Sequence, residues 1–416
     1  MSAATVIVGS SVGGVRTAQA LRAGGYTGDV VLVGAESHLP YDKPPLSKAL
    51  LAGAVGPDAV GLLTEQAAAD AGIRLVLGRA ATRLDPVGRH VELVDGELLS
   101  YDDVVIATGT RARPSPWGSP DGVHVLRTLD DAIALRADLM GGGPLVIIGA
   151  GFIGAEVAAT AHGMGIENIT VIDSAPMPMS GVLNLPIAAL FGRLHEQRGV
   201  ATRFGVGVDG IGPAQDGATH RLTVRLTDGS ALPAAAVVVG IGAVPNDDWL
   251  ESSGLQIDDG VVCDRYSRAV DAPGVHAVGD VARWFHTRYG SLVRVEHWTN
   301  AVEQAACVAH NIIDPDHPRA YAPVEYVWSD QYDWKVQLAG RTGRDLDHVT
   351  VGSPDPGRSF AALYADPDGR LAGVMTVNWP RALLTCRRAL ANGATLDEVR
   401  AAVATAAGRT DQVQAR

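Results

Sequence analysis

The chain has 416 residues, too many for one core, and its length suggests roughly three domains. A net charge of −12 argues against general affinity for nucleic acid or anionic membranes, which select basic surfaces, though it leaves room for a local basic patch. No basic-then-apolar leader opens the chain and no apolar run approaches the ~18 residues of a membrane span, so a soluble cytoplasmic protein is expected.

The first segment alternates strand and helix. TVIVG is a β-branched run, VGGVRTAQALRAGG carries apolar residues at helical spacing, and DVVLVG is a second apolar run. That succession is βαβ, which implies parallel strands joined by a crossover helix. YDDVVIATGTRARP follows as a strand ending at Ala107-Thr108-Gly109 before a proline turn. The βαβ pattern returns as PLVIIG, AGFIGAEVAATAHGMG and NITVIDS, about 140 residues after the first, which suggests two nucleotide-binding domains. RLTVRLTDGS reads as a hairpin arm, AAAVVVGIGAVPN as a buried strand, and VHAVGD as a strand entering a Gly-Asp turn. From about residue 321, VEYVWSDQYDWKVQLAG and RSFAALYADPDGRLAGVMTVN read as antiparallel strands and RALLTCRRALANG as a helix. Five of the seven tryptophans (Trp284, Trp298, Trp328, Trp334, Trp379) lie after residue 283, so this third supplies most of the large stacking rings. The tail after Val403 is small and polar and is expected to fray. Cys263, Cys307 and Cys386 are far apart and form no C-x-x-C pair; local dithiol or metal chemistry is not expected, and Cys307 in EQAACVAH reads as a buried helix residue.

Two glycine motifs carry the chemistry. Gly149-Ala150-Gly151-Phe152-Ile153-Gly154 follows an apolar strand, opens a helix, and is followed by a strand ending at Asp173. The first glycine permits the tight turn, the second lets backbone approach a pyrophosphate, and the third lets helix and strand pack closely. Asp173 suits a ribose 2′-OH, and Ser174-Ala175-Pro176-Met177 offers no arginine for a 2′-phosphate, which favours NAD(H) over NADP(H). The first motif, VIVGSSVGG, keeps Gly9 and Gly14 but has Ser11 at the second glycine position; Gly13 precedes Gly14, and Glu36 closes the next strand twenty-two residues later. On its own this does not separate a cofactor loop from a structural turn.

PYDKPPLSK (40–48), the ATG of 107–109, GAGFIG, AVGD (277–280), RVEHWTNAVEQA and VWSDQYDWKVQ occur in that order. Together they resemble the ferredoxin-reductase branch of the FAD/NAD-dependent flavoproteins with two dinucleotide-binding domains, over nearly the whole chain from Val6 to about Gly373. The resemblance implies an α/β fold with two Rossmann-like domains, an FAD domain of residues 1–112 and 242–320 and an inserted NAD domain of 113–241, plus a C-terminal α+β domain of 321–416. It implies that Gly9, Ser11, Gly13 and Gly14 cradle the FAD pyrophosphate, Glu36 holds the ribose and Lys43 lies near the phosphates. Pro45, Thr108 and Gly109 would line the cofactor, Asp280 would bond the ribityl chain or a phosphate-side hydroxyl, and Trp298, beginning the stretch that leads into a helix over 300–311, would present backbone N–H and helix dipole to the flavin N1/C2=O edge. Trp328 would lie close to the isoalloxazine. Gly149, Gly151, Phe152, Ile153, Gly154, Glu156, Asp173 and Gly242 would bind NAD, and Lys48 would pair with Glu156 near flavin N5. Hydride transfer there needs alignment and exclusion of water more than an acid or base.

The stretch YDKPPLSK holds no cysteine, which excludes a dithiol or single-cysteine peroxidatic centre at that place. Single-electron transfer remains, to a small acidic [2Fe–2S] ferredoxin bound transiently, which would serve a P450 or Rieske oxygenase. Its docking patch must be local, with Arg288, Arg294, Lys335, Arg341, Arg344, Arg381, Arg387 and Arg388 as candidates. A flavin diaphorase, a rubredoxin or nitrite reductase component, and an NADH-sensing interaction flavoprotein stay open as alternatives. No metal site is expected.

Overall fold

The computed structural model describes residues 4–215 and 220–414. The chain folds as two compact units, each discontinuous in sequence: Met1–Pro44, Pro57–Arg111 and Ala243–Pro323 form the first, and Pro45–Gly56, Ala112–Gly242 and Val324–Arg416 the second.

The first unit is built on a five-stranded parallel sheet. Ala4–Val8 lies at its centre, flanked by Asp29–Val33 and Asp103–Ile106, with Ile73–Val76 and Val275–Ala277 at the edges. Val6, Ile7 and Val8 are buried, as are Val104, Val105 and Ile106, so these strands read as continuous apolar runs because both faces are covered. Each such side chain contributes about 1.5–3 kcal/mol by leaving water. The helices Val12–Ala23 and Trp298–Ile313 pack together beside the sheet, and Gly13 lies at their contact: a Cβ there would be 3.8 Å from Ala301 of the second helix and 3.3 Å from Val278. The second helix begins at Trp298 itself and ends at Ile313, so it extends two residues beyond each expected end.

The second unit repeats the plan and adds to it. Leu145–Ile148 is flanked by Ile169–Asp173 and Ala236–Val239 in a parallel sheet completed by Ala201–Phe204 and Val123–His124. The TDGS segment turns the chain between Leu222–Leu226 and Ala231–Ala234 of an antiparallel arm. After residue 324 the chain makes an antiparallel sheet in the order Tyr326–Gln331, Trp334–Gly340, Leu371–Val377, Phe360–Ala365, His348–Gly352, followed by the helices Pro380–Asn392 and Leu396–Gln414. The helix Leu185–Gln197 shares a core with this sheet, with Phe191 edge-on to Trp334.

Two local expectations are corrected, and the tryptophans are sorted. The tail after Val403 is helical rather than irregular; the last helix runs to Gln414, because an alanine-rich sequence has high helix propensity and Thr395 and Glu398 cap each other at its start. Cys307 is on a helix as expected but is only partly buried, its Sγ donating to the Arg319 carbonyl. Of the five late tryptophans, Trp284, Trp334 and Trp379 are core residues, and only Trp298 and Trp328 remain partly accessible.

His195 is fully buried on Leu185–Gln197, with Nδ1 2.7 Å from the Tyr332 hydroxyl; among the described residues Nε2 meets no partner. Burial lowers its pKa to about 4. The folded state therefore binds this proton less readily than the unfolded chain, so stability is complete above about pH 6.5 and is lost as pH falls toward 4, by up to about 3 kcal/mol. Thermal unfolding of His195→Gln should show a shallower fall in Tm between pH 7 and 4.5 than the parent. Equal slopes would contradict this.

Candidate functional site

In the first unit the glycine loop follows the C-terminal end of Ala4–Val8, the Ala107-Thr108-Gly109 turn that of Asp103–Ile106, and Asp280 that of Val275–Ala277. Gly9 has φ +121°, and a Cβ there would fall 2.1 Å from the Ala107 carbonyl oxygen. At Gly14 a Cβ would lie 1.8 Å from the Gly9 carbonyl oxygen, so both positions admit only glycine. Ser11 is different. It is the N-cap of Val12–Ala23, with an ordinary φ of −88°, and its side chain makes no capping hydrogen bond. The backbone does not require glycine there, which explains how serine can stand in the motif. The helix start directs its unpaired N–H groups at whatever occupies the loop.

Around this loop, Glu36 accepts the Tyr41 hydroxyl at 2.5 Å, and the Lys43 ammonium stands 3.5 Å from its other oxygen and 4.9 Å from the Tyr41 ring. Lys43 is thus placed with Glu36. Thr108 donates its hydroxyl to the Asn246 carbonyl at 2.7 Å while Asn246 Nδ2 donates back to the Thr108 carbonyl, so Thr108 ties two chain segments together beside Gly109. Asp280 accepts from the Thr110 hydroxyl at 3.1 Å, and the neighbouring Gly279 N–H is held by Gln304 from the helix Trp298–Ile313. Trp298 opens that helix; its N-cap residue His297 provides no side-chain cap, and its indole N–H donates to Asp42 at 2.7 Å. Burial raises the Asp42 carboxyl above its usual range, and the Trp298 hydrogen bond opposes that rise.

The second unit holds the complete motif. Gly149 has φ +104° and no room for a Cβ against the Gly240 carbonyl; a Cβ on Gly154 would meet the Gly149 carbonyl oxygen at 1.9 Å. Gly151 contrasts with both, since a Cβ there would meet nothing within 4 Å, and Gly242, with φ +103°, is equally open. Two glycines are demanded by the protein's own packing, while Gly151 fronts empty space at a helix start without a side-chain cap. Such a cradle fits a dinucleotide pyrophosphate. Phe152 packs against the core that contains Phe191 and Trp334, and Ile153 is left 42% exposed on the first turn. Asp173 accepts the Ala150 N–H at 2.7 Å and the Ala175 N–H at 2.8 Å, so it braces the loop as well as ending the strand; each carboxylate oxygen retains a lone pair for a ribose hydroxyl.

Glu156, expected opposite Lys48, is 3% exposed, and Lys48 Nζ lies 2.7 Å from its Oε2. Ser47 and Ser329 hydroxyls also donate to it. One carboxylate thus joins PPLSK, the glycine-motif helix and the VWSDQ strand. Trp328 lies on that strand, stacked at 6.1 Å and 22° on Tyr326, whose ring carries the Arg387 guanidinium 5.1 Å from its centroid. Asp42, Asn246, Ser47 and Ser329 were not singled out by sequence. The last had a signal: Ser329 and Gln331 are polar residues at strand period two on an inward face.

The arginine candidates divide. Arg294 is bound to Asp259 and Glu296 and is not a free docking charge. Pro380–Asn392 contains Arg381, Arg387 and Arg388 and no acid, and Arg381 and Arg388 are exposed. All three cysteines are free, and burial raises each thiol, Cys307 to about 11 and Cys386 to about 12, leaving little thiolate at neutral pH. Gly151→Ala should leave the unfolding temperature unchanged and weaken dinucleotide binding by about tenfold or more, whereas Gly154→Ala should destabilise the fold. Binding titrations and thermal unfolding of both variants check this; unaltered binding in Gly151→Ala would contradict the cradle.

The chain matches the pyridine nucleotide-disulphide oxidoreductase family over residues 3–305 and the reductase C-terminal family over residues 326–407. It is 38% identical to rhodocoxin reductase of Rhodococcus erythropolis, over 93% of this chain and 89% of that one. It is also 38% identical to the anthranilate 1,2-dioxygenase system ferredoxin–NAD(+) reductase component of Burkholderia cepacia, over 94% and 95%. The reductase in the crystal structure of the covalent putidaredoxin reductase–putidaredoxin complex superposes with a TM-score of 0.88 at 35% identity, covering 94% of this chain and 93% of that one. With two glycine cradles at the ends of two parallel sheets and family matches along nearly its whole length, this chain belongs to the pyridine nucleotide-disulphide oxidoreductase family.

Proposed function

We propose that this chain is an NADH-dependent FAD flavoprotein that passes electrons singly to a [2Fe–2S] ferredoxin serving a P450 or Rieske oxygenase. The observation that carries the reading is two dinucleotide cradles in a chain whose three thiols are separate and whose pKa values are raised, which leaves no dithiol route for the electrons. The named relatives act in ferredoxin-linked systems, which points the same way.

Bound FAD supplies the step from a two-electron hydride donor to one-electron acceptors. The protein's own residues bind, orient and shield. Gly9, Ser11, Gly13 and Gly14 would take the FAD pyrophosphate, Glu36 with Lys43 the adenosine end, and Asp280 the ribityl side; the Trp298 helix start would offer N–H groups to developing negative charge. Pro45, Thr108 and Gly109 would shape the lining. Gly149, Gly151, Phe152, Ile153, Gly154 and Gly242 would hold NADH, with Asp173 disfavouring a 2′-phosphate by charge. Lys48 and Glu156 would align the reacting groups electrostatically rather than move protons. Trp328 would serve the exit of electrons.

For the acceptor, the acid-free helix Pro380–Asn392 is the best docking element, since Arg387 sits over the Tyr326 ring that in turn stacks on Trp328, the exit residue. A small acidic partner would be steered to it in a salt-dependent way. The assignment of 1–112 with 242–320 to FAD, 113–241 to NAD and 321–416 to a C-terminal domain is part of this proposal, as is a cytoplasmic location. No described helix is long and apolar enough to cross a membrane.

A paired experiment tests the two ends. Asp173→Ala should raise the NADH KM by about tenfold or more with FAD retained and ferredoxin KM unchanged. Arg381→Glu combined with Arg388→Glu should do the reverse, raising ferredoxin KM roughly threefold to tenfold and flattening its salt dependence while flavin reduction by NADH stays normal. Unchanged NADH kinetics in the first variant would defeat the NAD assignment; unchanged ferredoxin kinetics in the second would move the docking surface elsewhere.

A further inference from the structure

The Glu156 carboxylate is enclosed by hydroxyls to which the reading above gives no role. Ser47 Oγ donates to Oε2 at 2.5 Å, Ser329 Oγ donates to Oε1 at 2.8 Å, and Lys48 Nζ shares Oε2 at 2.7 Å. Both serines are buried, at 2% and 0% exposure. Gln331, equally buried, directs Nε2 at Ser329 Oγ from 3.2 Å.

A serine hydroxyl has one proton to give. With that proton on Glu156, Ser329 receives the Gln331 N–H through a lone pair, and the hydrogen bonds run one way, from Gln331 through Ser329 to Glu156. Gln331 Oε1 has no partner among the described residues, a cost the protein bears to keep the amide N–H on Ser329. From the other side, Thr160 Oγ1 donates to the Ser47 carbonyl at 2.7 Å. Glu156 and Thr160 are one turn apart on Phe152–Gly163, so one helix face holds residue 47 twice and fixes the adjacent Lys48.

We propose that Ser329 is a positioning residue for the NADH reaction, anchoring Glu156 Oε1 so that Oε2 stays aligned on Lys48, with Ser47 completing the clamp. The inference rests on the role proposed above for the Lys48–Glu156 pair. A glutamate side chain has three rotatable torsions; once one carboxylate oxygen is fixed, the other has a single place to stand. Without the Ser329 hydroxyl the carboxylate can rotate, the ammonium loses its fixed partner, and alignment for hydride transfer suffers, a step in which small misplacements cost much rate.

The test compares Ser329→Ala, Ser329→Thr, Ser47→Ala and Glu156→Gln as FAD-loaded proteins. Ser329→Ala should lower the limiting rate of flavin reduction by about tenfold while NAD⁺ affinity, titrated through flavin absorbance, changes by less than about twofold. Ser329→Thr, which keeps the hydroxyl, should recover most of the rate, and Ser47→Ala should slow it in the same sense. Independently of turnover, the Lys48 amine in folded Ser329→Ala should be acetylated several-fold faster, read by peptide mass spectrometry, because its partner is no longer held. A parental rate and parental Lys48 reactivity, with only a lowered unfolding temperature, would overturn the inference and make Ser329 structural. If Glu156→Gln slows reduction but Ser329→Ala does not, the positioning role alone fails. If Glu156→Gln has no effect, the role assigned to the pair fails first and this inference with it.

Discussion

The structure depends on a steric constraint repeated in its two halves: the third motif glycine sits so close to the carbonyl of the first that a single Cβ, 1.8 Å from Gly9 O at residue 14 or 1.9 Å from Gly149 O at residue 154, would force them apart. That approach sets each helix hard against its strand, which places the helix start, with its unpaired N–H groups, at the strand's C-terminal end. Everything specific to a dinucleotide follows from that placement. The loop between the first and third glycines has nowhere to go but outward; its second residue, Ser11 or Gly151, is left with an ordinary backbone angle, and Gly151 with an open front.

The same constraint explains what could be read from sequence. GAGFIG between an apolar strand and a helix specifies a local geometry through steric exclusion, and exclusion leaves a mark on residue identity. The parallel strands were equally legible, since Val6–Ile7–Val8 and Leu145–Val146–Ile147–Ile148 are buried on both faces and need apolar side chains throughout. Helix ends were less so: Trp298–Ile313 starts two residues early because nothing in HWTN marks His297 as a cap. Continuation of the last helix to Gln414 was missed because small residues read as frayed tail and as good helix former alike.

Partners brought together from distant sequence were the least legible. The Lys48–Glu156 pair came from family resemblance, and the structure adds Ser47 and Ser329, from positions 109 and 173 residues away from Glu156. A serine carries no sign of whether its hydroxyl is solvated or committed to a buried charge. Trp298 and Trp328 illustrate the converse. All five late tryptophans look alike in the sequence, and only packing shows that three fill cores while these two stay accessible, one bound to Asp42 and the other stacked on Tyr326. A buried carboxylate with three donors and a basic, acid-free helix joined to an accessible tryptophan through a ring stack are features of different kinds, and each suits one end of an electron-transfer reaction.

The most direct test of the central claim is stoichiometric. The purified FAD-loaded protein would be mixed anaerobically with a limiting amount of NADH and then with excess [2Fe–2S] ferredoxin, following flavin and iron–sulfur absorbance together. The account predicts rapid loss of flavin absorbance, then its return as two ferredoxins are reduced for each NADH consumed. Rapid flavin reduction that persists, with no ferredoxin reduced beyond the rate seen with NADH alone, would contradict it.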